Sequence, residues 1–181
     1  HNVGNTGIDS LRRLLAHHAL LPARGHAPRS QVLVTLHRRE NWDGKANVIC
    51  DALIALGAAR PDLRLLVPVH PNPRIAPRIR QRLGGQPQFT LVPPMNYREF
   101  IAAAAGAALI VSDSGGIQEE VPHLGVPLLV PRSCTERPEG VERGYVRLVA
   151  VDRDVIVAEA LALLAAPPSL PLPFDHDAPF G

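Results

Sequence analysis

Short apolar runs of strand length alternate with helical segments along this chain, and that alternation restricts its possible folds more than any other feature. The strand-like runs lie at residues 31–35, 63–69, 89–92, 109–111, 127–130 and 145–149. Helical spacing of apolar residues is found before the first run and at residues 46–59, 74–83, 97–105, 117–124 and 155–164. Strands that alternate with helices form a parallel sheet with right-handed crossovers. The sequence therefore predicts an α/β fold, a single Rossmann-like parallel sheet with helices on both faces.

The composition fits one globular domain and excludes several classes of function. The 181 residues are 46% hydrophobic and 20% charged, with a net charge of only +2. Aromatic residues make up 4% of the chain, too few for a base-stacking platform, so no nucleic-acid partner is predicted. No apolar run reaches the ~18 residues of a membrane span, so no membrane partner is predicted either. Cys50 and Cys134 fit neither a zinc cluster nor a disulfide framework, which predicts a reducing cytoplasm.

The segment LIVSDSGGIQEE, residues 109–120, has the pattern of an anion site. A buried strand is followed by a Ser-Asp-Ser turn whose side chains can cap a helix, and Gly115 and Gly116 let a ligand approach the backbone. The amides and the dipole at a helix N-terminus favour a phosphate. Glu119 and Glu120 follow about one turn later, where one of them can accept hydrogen bonds from a ribose. The alternative is a structural turn that binds nothing.

Other polar clusters follow the ends of neighbouring strands, where ligands of open parallel sheets bind. Arg38 and Arg39 suit bidentate contacts to phosphate, and His37 suits proton transfer or donation to a leaving oxygen, although Arg-Arg-Glu is also typical of a surface ion-pair cluster. For His70, the alternative to a role in ligand binding is a structural role in capping or packing. Arg137 can reach a phosphate or a ribose, but its Arg-Pro-Glu sequence also suits an ordinary helix start. No metal-ligand spacing, P-loop lysine or GxGxxG after the first strand is present, so no metal or cofactor is predicted.

The order and spacing of five motifs resemble those of the non-hydrolysing UDP-N-acetylglucosamine 2-epimerases. The motifs are HRREN (37–41), PVHPNP (68–73), SDSGGIQEE (112–120), GVPLLVPR (125–132) and TERPEGVERG (135–144). In that family two Rossmann-like domains in a glycosyltransferase-B arrangement hold the substrate in the cleft between them. The resemblance implies that residues 1–166 are the C-terminal UDP-binding domain, that 167–181 form a proline-rich extended tail, and that the N-terminal catalytic domain lies outside this chain. It also implies a homodimeric full-length parent.

The resemblance assigns roles to individual residues. The UDP-binding residues it implies are Met95, Phe100, Ser114, Gly115, Gly116, Glu120 and Arg137. The serine and the two glycines would hold the diphosphate, Glu120 the ribose hydroxyls, and Phe100 with the backbone around Met95 the uracil. His37 would be catalytic near the pyrophosphate. The positions Arg38, Glu40 and His70 are similar to those that meet a second UDP-N-acetylglucosamine, acting as an activator, in bacterial members.

The reaction implied by the resemblance is an isomerisation in cell-surface polysaccharide synthesis. UDP is eliminated to leave a 2-acetamidoglucal, and re-addition to the other face gives UDP-N-acetylmannosamine. The acidic residues that transfer the protons belong to the N-terminal domain, so this chain alone is expected to bind UDP weakly and to be inactive. The alternatives are a hydrolysing epimerase, a glycosyltransferase-B nucleotide-sugar transferase and a stand-alone nucleotide-sugar binding module.

Overall fold

A computed structural model describes residues 5–18, 30–41 and 44–166 of the chain. The strands are β1 (Gln31–Thr35), β2 (Arg64–Pro68), β3 (Phe89–Val92), β4 (Leu109–Ser112), β5 (Leu128–Pro131) and β6 (Val146–Val149). The α-helices are α1 (Thr6–His18), α2 (Lys45–Ala59), α3 (Ala76–Leu83), α4 (Tyr97–Gly106), α5 (Gly115–Leu124), α6 (Pro138–Glu142) and α7 (Arg153–Ala165). A short 3-10 helix, Arg39–Asn41, follows β1.

The six strands form one sheet in the order β3-β2-β1-β4-β5-β6, and every neighbouring pair is parallel. This is the strand order of the doubly wound Rossmann fold. The predicted parallel sheet is therefore confirmed, with each predicted strand within two residues of its observed bounds. The helix predicted at 74–83 begins later, at Ala76, because Pro77 lacks an N–H and is best placed in a first turn.

Alternate residues of the central strands face two separate cores. Val32 and Val34 of β1 pack in the core that α2, α3 and α7 cover, whereas Leu33 packs in the core that α1, α4 and α5 cover. In β4, Val111 and Ile110 divide between the same two cores. Because both faces are buried, the strands are almost continuously apolar instead of alternating with polar residues. The prediction of helices on both faces is confirmed.

The expectations about the tail, about membrane spans and about the cysteines have separate outcomes. The proline-rich tail predicted at residues 167–181 lies outside the described residues. In the described part of the chain, no helix is both long enough and apolar enough to cross a membrane. Cys50 and Cys134 are free thiols, the first buried and the second exposed.

Candidate functional site

The candidate site lies at the carboxyl ends of β1 and β4, where the sheet changes its direction of growth. The chain moves from β1 to β2 and β3 on one side, and from β4 to β5 and β6 on the other. Thr35 and Ser112, the last residues of β1 and β4, stand side by side in the parallel register. The loops that follow leave in opposite directions, and the crevice between them is where open α/β sheets bind ligands.

Asp113 joins these two loops from a fully buried position. Its Oδ1 accepts a hydrogen bond from the backbone N–H of His37 at 2.8 Å, and its Oδ2 accepts from the N–H of Arg38 at 3.1 Å and from Nδ2 of Asn41 at 2.8 Å. The expectation that this turn supplies helix-capping side chains is wrong for Asp113, which points to the β1 loop instead. The role was missed because nothing in the local sequence indicates a contact 76 residues away.

The N-terminus of α5 is open. Ser114 is the N-cap residue but its side chain makes no capping hydrogen bond, so here too the capping expectation is wrong. Ser112 Oγ instead holds the turn, accepting from the N–H of Ser114 at 3.1 Å and lying 2.7 Å from the Thr35 hydroxyl. A Cβ added to Gly115 would lie 3.2 Å from Nη2 of Arg38, which places a guanidinium beside the helix start. Amides, dipole and guanidinium together favour an anion.

Arg38 is engaged by Glu136 of the TERPE motif. Its two terminal nitrogens donate to the Glu136 carboxylate at 3.1 Å each, and those of the buried Arg132 donate to the same carboxylate at 3.0 and 3.1 Å. The hydrogen bonds from Arg132, and also those from Arg38, lower the pKa of Glu136 to about 2. Arg38 thus forms an ion pair, but its partner lies outside HRREN, so the Arg-Arg-Glu cluster considered from the sequence stays a prediction; Arg39 is exposed.

The two glutamates of α5 have different partners. Glu119 accepts from Nδ2 of Asn5 at 2.6 Å and forms an ion pair with Nε of Arg137. Glu120 is half-buried and accepts from the hydroxyl of Tyr97 at 2.9 Å. Desolvation raises the pKa of Glu120, and the hydrogen bond from Tyr97 acts in the opposite direction. The sequence left open which glutamate could accept from a ribose, and the structure leaves Glu120 without an arginine partner among its recorded contacts.

Gln118 fixes the TERPE turn against the start of α5. Its buried side chain donates to the carbonyl of Ser114 at 3.2 Å and accepts from the hydroxyl of Thr135 at 2.5 Å. The same hydroxyl accepts from the backbone N–H of Arg137 at 3.0 Å. Arg137 is also the N-cap of α6, and Pro138 is in that helix's first turn, as the alternative reading of Arg-Pro-Glu predicted. Arg137 can therefore begin α6 and still lie beside the start of α5.

His37 and His70 lie together at the ends of β1 and β2. Their rings are 5.5 Å apart and inclined by 68°, and Nδ1 of His70 accepts from the N–H of Asn72 at 3.1 Å. This hydrogen bond orders the loop after β2, ahead of the α3 N-cap at Ile75, so it is a turn contact and not a helix cap, and the role of His70 stays a prediction. His37 reaches solvent, yet desolvation by the surrounding protein is the largest effect on it and lowers its pKa, while Asp113 acts to raise the pKa and His70 to lower it.

The residues expected near a uracil lie at the start of α4. Met95 and Phe100 are half-buried, and Phe100 packs against the core under α1, α4 and α5. The turn between them is held by a capping box of Asn96 and Glu99. The backbone of Glu40 is in the 3-10 helix, but its side chain lies outside the described part of the structure. Within the described residues, no three His, Cys, Asp or Glu side chains gather as a metal site requires.

The chain matches known proteins over nearly its whole length. A family model described as UDP-N-acetylglucosamine 2-epimerase matches residues 1–181. The chain is 43% identical over 172 residues to a probable UDP-N-acetylglucosamine 2-epimerase of Ralstonia nicotianae, covering 89% of this chain and 46% of the relative. It is 40% identical over 171 residues to the UDP-N-acetylglucosamine 2-epimerase of Salmonella typhimurium, again covering 89% and 46%. The chain thus spans about half the length of these curated relatives.

Solved structures agree with this match. The UDP-GlcNAc 2-epimerase of Neisseria meningitidis bound to UDP-GlcNAc superposes with a TM-score of 0.82 and 34% identity, covering 91% of this chain and 47% of that one. The Methanocaldococcus jannaschii UDP-GlcNAc 2-epimerase in complex with UDP-GlcNAc and UDP gives a TM-score of 0.79 with 28% identity, covering 99% and 50%. The Escherichia coli heptosyltransferase WaaC, at 19% identity and a TM-score of 0.57, shares the fold alone.

Proposed function

Because the chain belongs to the UDP-N-acetylglucosamine 2-epimerase family, we propose that its protein interconverts UDP-N-acetylglucosamine and UDP-N-acetylmannosamine and that this domain holds UDP. The observation that carries the proposal is the open N-terminus of α5, at the switch point of the sheet, with Arg38 beside Gly115. A diphosphate is the part of the substrate that such a site suits. Activity, substrate and partners of the whole protein are part of this proposal.

In the proposed complex the diphosphate binds at Ser114, Gly115 and Gly116. The exposed position of Gly116, where a Cβ would meet nothing within 4 Å, supports the close approach of a ligand. Glu120 lies about one helical turn further along, roughly 5–6 Å by the rise of an α-helix, which suits the distance from a diphosphate to a ribose hydroxyl. Arg137 would contact the nucleotide from the adjoining turn.

The uracil would lie at the start of α4. Met95 supplies backbone there and Phe100 an apolar edge, and both are half-buried. The hydrogen bond from Tyr97 to Glu120 joins this turn to α5 and so supports one continuous nucleoside site along the two helices.

In the proposed reaction, elimination removes the C2 proton and breaks the bond between C1 and the diphosphate oxygen. The products are UDP and a 2-acetamidoglucal. In the re-addition the diphosphate oxygen re-forms its bond to C1 and a proton adds to the other face of C2, so the configuration is inverted at C2. Negative charge that develops on the leaving diphosphate is stabilised by the α5 amides and by Arg38. His37, whose pKa is lowered, is mostly neutral at pH 7 and donates an N–H to a leaving phosphate oxygen.

The proton-transfer carboxylates are proposed to belong to a second domain. The chain spans about half the length of its curated relatives, which supports a further, N-terminal domain in the whole protein. That this domain lies across the crevice and that the whole protein is a homodimer are parts of the proposal that rest on the family resemblance. The isolated chain would then bind UDP weakly and be inactive. The two free thiols support a reducing cytoplasm as the place of the reaction. The role in cell-surface polysaccharide synthesis is proposed from the family resemblance alone.

A second nucleotide-sugar is proposed to contact Arg38, Glu40 and His70. Arg38 lies at the rim of the α5 site, and His70 lies beside His37, so a ligand there would adjoin the proposed diphosphate. To bind it, Arg38 would have to share or leave its ion pair with Glu136.

The experiment is an epimerase assay on the full-length protein in D₂O, followed by proton NMR. The expected result is UDP-N-acetylmannosamine carrying deuterium at C2, because the proton removed is replaced from solvent. Free N-acetylmannosamine with UDP would instead identify a hydrolysing enzyme. Transfer of the sugar to an acceptor without C2 exchange would identify a glycosyltransferase and contradict the proposal.

A further inference from the structure

Tyr97 is a large side chain that remains 44% exposed at the first position of α4. Exposed tyrosines usually have a mobile hydroxyl in water, but the hydroxyl of Tyr97 reaches across to α5 and donates to Oε1 of Glu120 at 2.9 Å. This contact could not be predicted from the local sequence, since 23 residues separate Tyr97 from Glu120.

The position of Tyr97 is fixed by the residues on either side of it. The side chain of Asn96 accepts from the N–H of Glu99 at 3.0 Å, and the N–H of Asn96 donates to the side chain of Glu99 at 3.2 Å. This capping box orders the first turn of α4. The tyrosine side chain then has only two rotatable bonds left, so little entropy is lost when its hydroxyl holds a partner.

The hydrogen bond from Tyr97 favours the charged form of Glu120. Burial and the neighbouring charge of Glu119 raise its pKa, while the hydrogen bond from Tyr97 lowers the pKa because it stabilises the carboxylate form. Glu119, not Glu120, is the carboxylate that pairs with Arg137. An ionised carboxylate only accepts hydrogen bonds, through about four lone-pair positions. Tyr97 occupies one of them and leaves Oε2 to accept from a vicinal diol.

We propose that Tyr97 is a positioning residue that orients Glu120 for the ribose diol of a uridine nucleotide and so sets the preference for ribonucleotides over deoxyribonucleotides. The proposal rests on the proposed function, in which Glu120 reads the ribose. It adds Tyr97 as the residue that holds Glu120 in position, through the hydrogen bond that joins α4 to α5.

The test is a calorimetric titration of the chain with UDP, 2′-deoxy-UDP and 3′-deoxy-UDP, repeated on Tyr97→Phe and Glu120→Gln. Phenylalanine keeps the ring and removes only the hydroxyl. The expected result is that Tyr97→Phe weakens UDP binding by about tenfold, the order of a lost hydrogen bond to a charged group, while at least one deoxy analogue binds as to the parent chain. Both substitutions should therefore lower the ratio of UDP affinity to deoxy-UDP affinity.

Tyr145→Phe is the matched control, because it removes the other tyrosine hydroxyl of the chain, at the amino-terminal end of β6 and away from the site. Its ratio of UDP to deoxy-UDP affinity should equal that of the parent chain. A ratio unchanged by Tyr97→Phe but lowered by Glu120→Gln would overturn the role of Tyr97 and leave the proposed function intact. If the parent chain binds both deoxy analogues as tightly as UDP, the proposal that Glu120 binds the ribose hydroxyls is overturned.

A ligand-free measurement gives independent evidence. Carbon-13 NMR of the Glu120 carboxyl should show a higher pKa in Tyr97→Phe than in the parent chain, since the charged form loses its donor. An equal pKa in both would overturn the positioning role.

Discussion

Asp113 shows how one buried residue can determine the geometry of a site without facing the ligand. It has no exposed surface, and it accepts hydrogen bonds from two backbone amides and one side-chain amide of the β1 loop. Those amides belong to His37 and Arg38, the two residues proposed to act on the leaving diphosphate, and to Asn41. Buried carboxylates are tolerated only when hydrogen-bonded, so Asp113 depends on the donors of the β1 loop. The conformation of the β1 loop depends in turn on Asp113 as their acceptor.

Replacing Asp113 by alanine should be far more costly than replacing an exposed aspartate with similar contacts. Three donors, one of them the buried side chain of Asn41, would lose their acceptor, and we expect the free energy of unfolding to fall by about 3 kcal/mol or more. Asp152 is the matched control, because it accepts from the amides of Asp154 and Val155 at 3.0 Å each, at the exposed N-cap of α7. Asp152→Ala should cost about 1 kcal/mol.

Urea denaturation followed by circular dichroism measures both changes. Equal losses in Asp113→Ala and Asp152→Ala would contradict the role given to the buried carboxylate.

At the scale of elements, α5 combines an open start with a tightly packed end. Its N-terminus has two glycines and no side-chain cap, which favours a ligand over intrinsic helix stability. Its last turn is buried against the core and ends at Gly125, whose φ of 62° is the left-handed conformation that glycine adopts without strain. In that last turn His123 is fully buried, and neither ring nitrogen makes a hydrogen bond to the described residues.

His123 should make the stability of the domain sensitive to mild acid. Desolvation, with a smaller effect from Arg12, lowers its pKa from 6.5 to about 4. Between those two pH values the unfolded chain binds a proton that the folded chain does not, so the free energy of unfolding should fall as pH drops from about 6.5 to 4. His123→Leu should remove about 1–3 kcal/mol of that fall.

Thermal unfolding measured at several pH values tests this expectation. His37 also has a lowered pKa, so His37→Gln serves as the comparison that separates its contribution. If the stability of His123→Leu falls with pH as steeply as that of the parent chain, the neutral state assigned to buried His123 is wrong.

For the whole molecule, apolar periodicity was enough to predict the strands, their parallel arrangement and every described α-helix except α6, because each of these elements follows from its own residues. The helix α6, Pro138–Glu142, lies in TERPEGVERG, where the sequence offered a helix start only as an alternative. The predicted ends of β1 and β4 likewise indicated that the loops of HRREN and of Gly115 leave the same edge of the sheet, where Arg38 lies beside Gly115. The contacts of Asp113 with the β1 loop, of Tyr97 with Glu120 and of Glu136 with Arg38 could not be predicted, since each joins segments brought together only by the fold. The local sequence indicates secondary structure, whereas the contacts of these side chains depend on partners 23 to 98 residues away.

The central claim is that the switch point and the N-terminus of α5 form the site for the UDP diphosphate. Gly116→Asp tests it most directly, because the position has room for a side chain and the new charge would lie where the diphosphate is proposed to bind. Ala158→Asp adds the same charge at an exposed position of α7, whose buried residues pack in the core on the opposite face of the sheet from α5. The measurement is calorimetric titration with UDP at low salt. We predict at least a roughly tenfold loss of UDP affinity in Gly116→Asp, from like-charge repulsion in a partly shielded site, and no change in Ala158→Asp. Equal UDP affinity in both variants would contradict the account.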